Sequence, residues 1–459
     1  MDAGVVPAAS GIAPLARLRR LRGSVFVKAV AGTAGANVIA AALGSIGGII
    51  IARYLGAEIR GYLVTAVVWP TFAGTIATLG LPQATCFHIS KDEGSGPSVV
   101  ASVTIGALVI TAALGVVGAL LAPLISSEPS VVRALQLLFL LLPLYTIPVS
   151  WMASLQPRHI ALWNTSRIVQ PVVYFAAVLF LALTDRLTIP NVVNGLIVSF
   201  ATQAIVAAGL SWWKIGRPAA PKWALWSSSV KFGMKTSFAN APLIVNTRVD
   251  QLFLSLLVSP AALGNYAVAV SLSWLATPVA WAFGYVAFPR IASAKRKVDA
   301  ARIQKIAIWG SVGVGAVVLI PLAIAAPWLI PALFGSGFDS AVTVLWILVP
   351  GTIFFCANQV MEDVARGHGR PGVPAVAESI GAVLTGVLLA ILAPRFGING
   401  AAVASVITYS LVGAILIRSL RLGDRVPKLD DSVRSSDAIE GGGEKRLADG
   451  DLPSPGRLG

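Results

Sequence analysis

The chain has 459 residues, of which 56% are hydrophobic and only 12% are charged, and its formal net charge is +15. Soluble domains carry about 25% charged residues, so this composition excludes a soluble globular protein. The positive charge does not indicate nucleic-acid binding, because the sequence contains no polar domain that could present a basic face.

The apolar residues fall into repeated blocks of about 18 to 25 residues, each long enough to cross a hydrocarbon core about 30 Å thick. The first block is too long for the apolar part of a cleaved signal peptide and is not followed by a small-residue cleavage pattern, so we expect it to remain as a span. Taken in chain order, the blocks predict about twelve membrane-spanning helices, at 29–52, 62–81, 98–122, 134–155, 168–184, 190–213, 236–258, 263–287, 306–326, 340–360, 374–393 and 398–417.

The basic residues indicate the orientation of these spans, because Lys and Arg accumulate in cytoplasmic loops. Here they concentrate in the N-terminal segment, in the loops after even-numbered spans and in the C-terminal tail. The other loops hold only Arg53, Arg60, Arg133, Arg186 and Arg395. This alternation predicts an even number of spans in a multi-pass protein of the cytoplasmic membrane, with both termini in the cytoplasm.

The spans also predict how the chain is divided. Residues 54–62 and 259–266 resemble each other, and each stretch leads into a span that ends with a similar sequence, at 87–90 and 288–293. Internal repeats are common in transporters whose two bundles rock about a shared site. We therefore expect a basic N-terminal segment at 1–28, a six-helix bundle at 29–213, a cytoplasmic connector at 214–235, a second six-helix bundle at 236–420 and a disordered tail at 421–459.

Several classes of activity lack their sequence signals. No phosphate-binding loop of the form GxxxxGK[ST] occurs, so we expect no ATP-driven pump. Cys86 and Cys356 are far apart, and no histidine lies at ligand spacing from either, so we expect no metal site and no other cofactor. The predicted outer loops are short and mostly apolar, whereas a glycan polymerase or ligase would need a larger loop with acid or base groups. The class of activity that remains is transport driven by an ion gradient or by substrate supply.

The seventh predicted span contains the clearest candidate site, the sequence Asn246-Thr247-Arg248-Val249-Asp250-Gln251. Arg248 lies about 20 Å beyond Lys235 at helical rise, slightly past the middle of the bilayer. A charge at this depth costs about 2.5–3.5 kcal/mol on insertion scales unless it meets a partner or water.

On a straight helix, Arg248 and Gln251 share one face, whereas Asn246 and Asp250 share another. We expect Arg248 to contact a diphosphate or an acidic sugar in a water-filled cavity, and Asp250 to pair with another span. The alternative is that Arg248 and Asp250 only hold helices together and do not contact substrate. Further polar residues at plausible cavity depth are Asn37, Gln83, Asn164, Arg167, Gln170, Gln359 and Glu378, and for each of them a helix-to-helix hydrogen bond is the alternative.

The ordered set of short motifs resembles the oligosaccharide flippase family, in the superfamily that also contains multidrug-and-toxin extruders and lipid II flippases. The motifs are Ala52-Arg53-Tyr54-Leu55-Gly56 with Arg60-Gly61, Asn246 to Gln251, Leu263-Gly264-Asn265-Tyr266-Ala267-Val268-Ala269, Phe288-Pro289-Arg290, Phe334-Gly335-Ser336-Gly337-Phe338 with Ala341, Gly367-His368-Gly369-Arg370-Pro371, and Phe396-Gly397-Ile398-Asn399-Gly400-Ala401-Ala402. The resemblance implies two six-helix bundles around a central cavity, alternating access, and in-membrane polar positions at Asn246, Arg248 and Asp250.

We thus expect an all-α integral membrane protein of about twelve spans in two pseudo-symmetric bundles. The expected activity, which follows from the resemblance, is flipping of a polyprenyl-diphosphate-linked oligosaccharide for surface polysaccharide biosynthesis. Its expected partners are the lipid-linked glycan, membrane lipids and glycan-synthesis enzymes, with no nucleic acid. The alternatives are an ion-coupled multidrug antiporter, a membrane-bound glycan polymerase or ligase, and a scaffold for glycan-synthesis enzymes.

Overall fold

The computed structural model describes residues 13–78, 80–92, 94–294 and 296–425, without the side chains of 13–31, 236, 238–241, 243, 244 and 422–425. Residues 1–12 of the predicted N-terminal segment and nearly all of the predicted tail at 421–459 lie outside the described residues. The described residues up to Leu416 belong to one compact unit, and those from Ile417 onward belong to a second.

The described residues are almost entirely α-helical and include no β-strand. The helices are α1 (Ala13–Ala77), α2 (Leu81–Lys91), α3 (Gly96–Ile125), α4 (Pro129–Leu140), α5 (Leu142–Leu155), α6 (Ile160–Leu183), α7 (Ile189–Lys214), α8 (Trp223–Asn246), α9 (Val249–Leu257), α10 (Pro260–Ser273), α11 (Thr277–Ala292), α12 (Lys297–Phe334), α13 (Asp339–Gly367) and α14 (Gly372–Arg425), with short 3₁₀ turns at Trp274–Ala276 and Ser336–Phe338.

Two of the long helices are broken at a glycine. Gly56 in α1 has φ 77° and ψ 177°, and Gly397 in α14 has φ 58° and ψ −135°. Only a residue without a Cβ adopts such angles readily, so each glycine can end one helical run and begin another. Gly56 separates the predicted spans 29–52 and 62–81, and Gly397 separates 374–393 and 398–417.

Within the described residues, eight helical stretches are long and apolar enough to cross a membrane, or nine if α4 and α5, which meet at 41°, form one span. Two of these stretches contain the breaks at Gly56 and Gly397. The predicted seventh span falls on α8 and α9, which are interrupted at Thr247 and Arg248, and it is not among the nine. The prediction of an all-α, multi-span membrane protein is confirmed, while the number twelve stays a prediction.

The buried apolar side chains form several clusters, one of which includes residues from both halves of the chain. One cluster joins α1, α3, α4, α6 and α7 through residues such as Leu135 and Val192. Another joins helices from α9 onward through residues such as Leu254 and Tyr266, and it also includes Ala52 and Ala57 of α1. A third joins α2, α3 and α5, and Trp226 of α8 packs against it, so the helical connector contacts the first half. The predicted bundles at 29–213 and 236–420 stay a prediction, because these clusters do not test whether the halves move as bodies.

Candidate functional site

A cavity of about 530 Å³ lies between helices of the two halves. The first half contributes side chains from α1, α5, α6 and α7, and the second half contributes Ala267 and Ser271 of α10 together with two residues near the start of α9. Most of the wall is apolar. Its polar side chains are those of Arg60, Thr71, Thr75, Tyr145, Gln170, Tyr174, Arg248, Gln251 and Ser271, and none of the described lining residues is Asp or Glu. The cavity is therefore cationic.

Arg248 reaches this cavity from a break between two helices. The helical hydrogen bonding of α8 ends at Asn246, and α9 begins at Val249, with Arg248 in the N-cap position at φ −138° and ψ −19°. The Arg248 side chain is exposed and lines the cavity, and the Gln251 side chain, one turn later, lines the cavity although it is buried. The partially positive N-terminal end of α9 begins beside the same cavity.

Arg60 is a second cation in the cavity, and its position corrects our placement of this residue in an outer loop. Helix α1 continues past Gly56, so Arg60 lies one turn before Val64 on the face that lines the cavity. Its Nε atom is buried and has no hydrogen-bond partner in the part of the chain that the structure describes. The helical spacing of Arg60, Val64, Val67 and Thr71 was a signal in the sequence that could have identified this face.

Gly48 leaves space beside the Arg60 guanidinium. A Cβ added at Gly48 would lie 3.5 Å from an Arg60 Nη atom, and Gly48 itself lines the cavity. Tyr174 lines the cavity in the same half. The Arg60 guanidinium thus lies next to Gly48, at a distance where an added Cβ would make ordinary van der Waals contact.

Asp250 points into the second half, away from the cavity lining. The Tyr266 hydroxyl donates a hydrogen bond of 2.6 Å to Asp250 Oδ2, and the Gln251 backbone N–H donates one of 2.7 Å to Asp250 Oδ1. Both side chains are buried, with Asp250 6% and Tyr266 0% exposed. Asp250 therefore links α9 to α10.

Asn246 is also held by partners within the second half. Its Nδ2 donates to Glu378 Oε2 at 2.6 Å and to the Glu378 carbonyl oxygen at 3.3 Å, while Thr385 Oγ1 donates to Asn246 Oδ1 at 3.0 Å. Asn246 and Glu378 are both buried and absent from the cavity lining. These contacts join α8 to α14.

The polar residues predicted in the first half form hydrogen bonds between helices. Arg167 donates to Asn37 Oδ1 at 2.8 Å, and Asn164 Nδ2 donates to Thr33 Oγ1 at 3.0 Å. Both pairs connect α6 to α1, and none of these residues lines the cavity.

Gln170, Gln359 and Gln83 have three different environments. Gln170 lines the cavity and donates to Ser199 Oγ at 3.3 Å. Gln359 donates to Glu362 Oε1 at 3.4 Å inside α13. Gln83 is exposed on α2 and is not part of the lining. Of the predicted site residues, the cavity therefore brings together Arg248, Gln251 and Gln170.

Comparison with known proteins agrees with this architecture. Residues 26–295 match the protein family described as polysaccharide biosynthesis protein. No curated protein matches the chain. Among solved structures, the chain is similar to lipid II flippase MurJ in an inward closed conformation, with a TM-score of 0.69 and 14% identity over 85% of this chain and 87% of that chain.

Two further structures have the same kind of fold. One is an inward-facing multidrug resistance MATE family transporter of the MOP superfamily, with a TM-score of 0.70 and 14% identity over 83% of this chain and 93% of that chain. The other is a MOP superfamily transporter from Pyrococcus furiosus, with a TM-score of 0.54 and 12% identity over 86% of this chain and 95% of that chain. At these identities the similarity establishes the fold, which is that of MOP-superfamily transporters.

Proposed function

Because the chain belongs to the polysaccharide biosynthesis protein family, we propose that it flips a polyprenyl-diphosphate-linked oligosaccharide across the cytoplasmic membrane by alternating access. The product would supply surface polysaccharide biosynthesis. The observation that carries this proposal is the pair Arg60 and Arg248, one from each half of the chain, in a cavity that no carboxylate of the described residues lines.

A diphosphate fits this environment chemically. Arginine guanidinium groups bind phosphate oxygens through paired, charge-assisted hydrogen bonds. Arg60 lines the cavity, its buried Nε has no hydrogen-bond partner within the described protein, and no acidic side chain of the described residues lines the cavity beside it. The N-terminal end of α9 adds a favourable field for an anion beside Arg248. The diphosphate head would otherwise face a large cost of leaving water for the bilayer.

The two arginines also suggest how binding is coupled to movement. A diphosphate that contacts Arg60 and Arg248 together stabilises the conformations in which the two helices stand at the right separation. A ligand shifts a conformational equilibrium only when it binds one conformation more tightly than the other. The polyprenyl chain would stay in the lipid while the head occupies the cavity.

The alternative functions make different demands on the site. A multidrug antiporter that binds cationic drugs would favour carboxylates in the cavity, whereas the lining here carries arginines. A polymerase or ligase would form new glycosidic or phosphodiester bonds, and we propose that this chain forms none. Glycan-synthesis enzymes are proposed as partners that deliver and consume the substrate.

The test is transbilayer movement of a labelled polyprenyl-diphosphate oligosaccharide in proteoliposomes. We expect Arg60→Ala and Arg248→Ala each to lower the initial rate about tenfold to a hundredfold, since a hydrogen bond to a charged group contributes about 1.5–3 kcal/mol. The Lys variants should retain part of the rate, because the positive charge remains. Arg133→Ala is the matched control, because Arg133 is exposed and lies outside the cavity lining.

A variant that lacks both arginines tests whether the two side chains bind the same ligand. If both arginines bind one diphosphate, Arg60→Ala combined with Arg248→Ala should slow movement less than the product of the two single effects. Equal movement in native and variant proteins would remove the arginines from the binding site. Absence of movement with the native chain, or formation of new glycan bonds, would overturn the proposed function.

A further inference from the structure

The two halves touch backbone to backbone at one end of the cavity. A Cβ added at Gly61 of α1 would overlap the carbonyl oxygen of Pro260, and one added at Gly264 of α10 would overlap the carbonyl oxygen of Ala57. Gly61 thus lies against the carbonyl group one helical turn before Gly264, and Gly264 lies against the carbonyl group one helical turn before Gly61. We name this reciprocal contact, made by residues 57–61 and 260–264, the glycine crossing.

The glycine crossing joins the two stretches that resemble each other in sequence, 54–62 and 259–266. The glycine crossing is therefore a reciprocal contact between segments of the two halves that resemble each other. Small residues allow helix backbones to approach this closely in membranes. A contact without interlocking side chains can also separate and re-form without repacking of rotamers.

Further contacts connect the first half to the second half next to the glycine crossing. Arg53 Nη1 donates to the carbonyl oxygen of Ala332 at 2.6 Å, near the C-terminal end of α12. A cation there satisfies carbonyls that lack helical partners. Ala52 and Ala57 are buried within the apolar cluster of the second half.

Both helices run from the glycine crossing directly into the cavity wall. In α1, Gly61 is followed by the lining residues Val64 and Thr71, and in α10, Gly264 is followed by Ala267 and Ser271. The distribution of basic residues predicts that residues 53–61 and 258–262 lie on the outer side of the membrane.

We propose that the glycine crossing is the outer gate of the transporter. Closed as in this structure, it separates the cavity from the outer side, and the two helices must part there before the glycan head can leave. The inference rests on the proposed function for the direction of transport and on the predicted orientation for its side of the membrane.

The first test opens the gate and needs no substrate. In a background with Cys86→Ser and Cys356→Ala, Ser271→Cys serves as a cavity reporter for a membrane-impermeant maleimide applied to right-side-out vesicles. We expect Gly61→Ala or Gly264→Ala to raise the labelling rate at least about tenfold, because a minor open state populated at about 0.1–10% becomes the major one. Gly313→Ala is the matched control, since an added Cβ there meets no atom within 4 Å. An unchanged labelling rate in the folded variants would overturn the proposal.

The second test locks the gate shut. The Ala57 Cβ lies 3.9 Å from an ideal Cβ at Gly337, which matches the separation of about 3.5–4.5 Å in a disulfide. In the same cysteine-free background, Ala57→Cys with Gly337→Cys should lose transport on oxidation and regain it on reduction. Transport that continues with the disulfide formed would also overturn the gate. If the native chain moves no lipid-linked glycan, the proposed function fails, and the labelling test still decides the gate.

Discussion

At the scale of single residues, the polar groups of the α8–α9 region fall into two kinds. Arg248 and Gln251 face the cavity, whereas Asp250 has buried partners. A buried polar group that loses its partner retains the cost of leaving water, so paired residues contribute to stability. The same short sequence thus contains residues proposed to bind substrate and residues that hold helices together.

The Asp250–Tyr266 pair provides a stability test of this distinction. We expect Asp250→Ala to lower the free energy of unfolding by about 1–3 kcal/mol, because the buried Tyr266 hydroxyl loses its acceptor. Thermal unfolding of the detergent-solubilised protein measures the effect. In combination with Tyr266→Phe the losses should be less than additive, and full additivity would show that the hydrogen bond contributes nothing. Arg248→Ala should leave stability nearly unchanged.

At the scale of elements, glycines determine where long helices break. Gly397 has positive φ, yet an added Cβ there would meet no atom within 4 Å, so its backbone angle alone demands glycine. Gly386 of the same helix also has open space around it but has no such backbone angle. The two positions therefore separate the effect of conformation from that of packing.

We expect Gly397→Ala to destabilise the protein by about 1–3 kcal/mol, the cost of a sparsely populated backbone conformation. Gly386→Ala, the matched control, should be neutral or stabilising by up to about 1 kcal/mol, since alanine favours helix. Thermal unfolding of both variants tests this. Equal behaviour of the two would mean that α14 can continue through residue 397 without the break.

At the scale of the whole molecule, the proposed cycle needs a defined orientation in the membrane. Basic residues predict that the loop around Thr184 is outside and that the loop around Ser293 is in the cytoplasm. Both side chains are exposed in loops. The glycine crossing is an outer gate only if this orientation holds.

Cysteine labelling in intact cells tests the orientation. With Cys86→Ser and Cys356→Ala, we expect an impermeant maleimide to label Thr184→Cys and not Ser293→Cys until the cells are permeabilised. The physical reason is the retention of basic loops in the cytoplasm during insertion. The reverse pattern would invert the topology and assign the glycine crossing to the inner side.

The sequence by itself determined that the chain is a helical membrane protein, where most of its spans lie and which family it resembles. Length and apolarity of a block are local properties, so membrane insertion can be predicted without knowledge of neighbouring helices. The ordered set of motifs between Ala52 and Ala402 indicated the family, and the match over residues 26–295 confirms it.

Only the tertiary structure decided which polar residues converge. Arg60 and Arg248 are far apart in the chain, and Arg60 was assigned to a loop because a count of basic residues ignores which face of a helix they occupy. Asn246 was predicted as a site residue, but its partners Glu378 and Thr385 lie on a helix that is distant in the chain. A hydrogen bond or a shared cavity depends on the packing of helices against one another, which spacing within one helix does not encode.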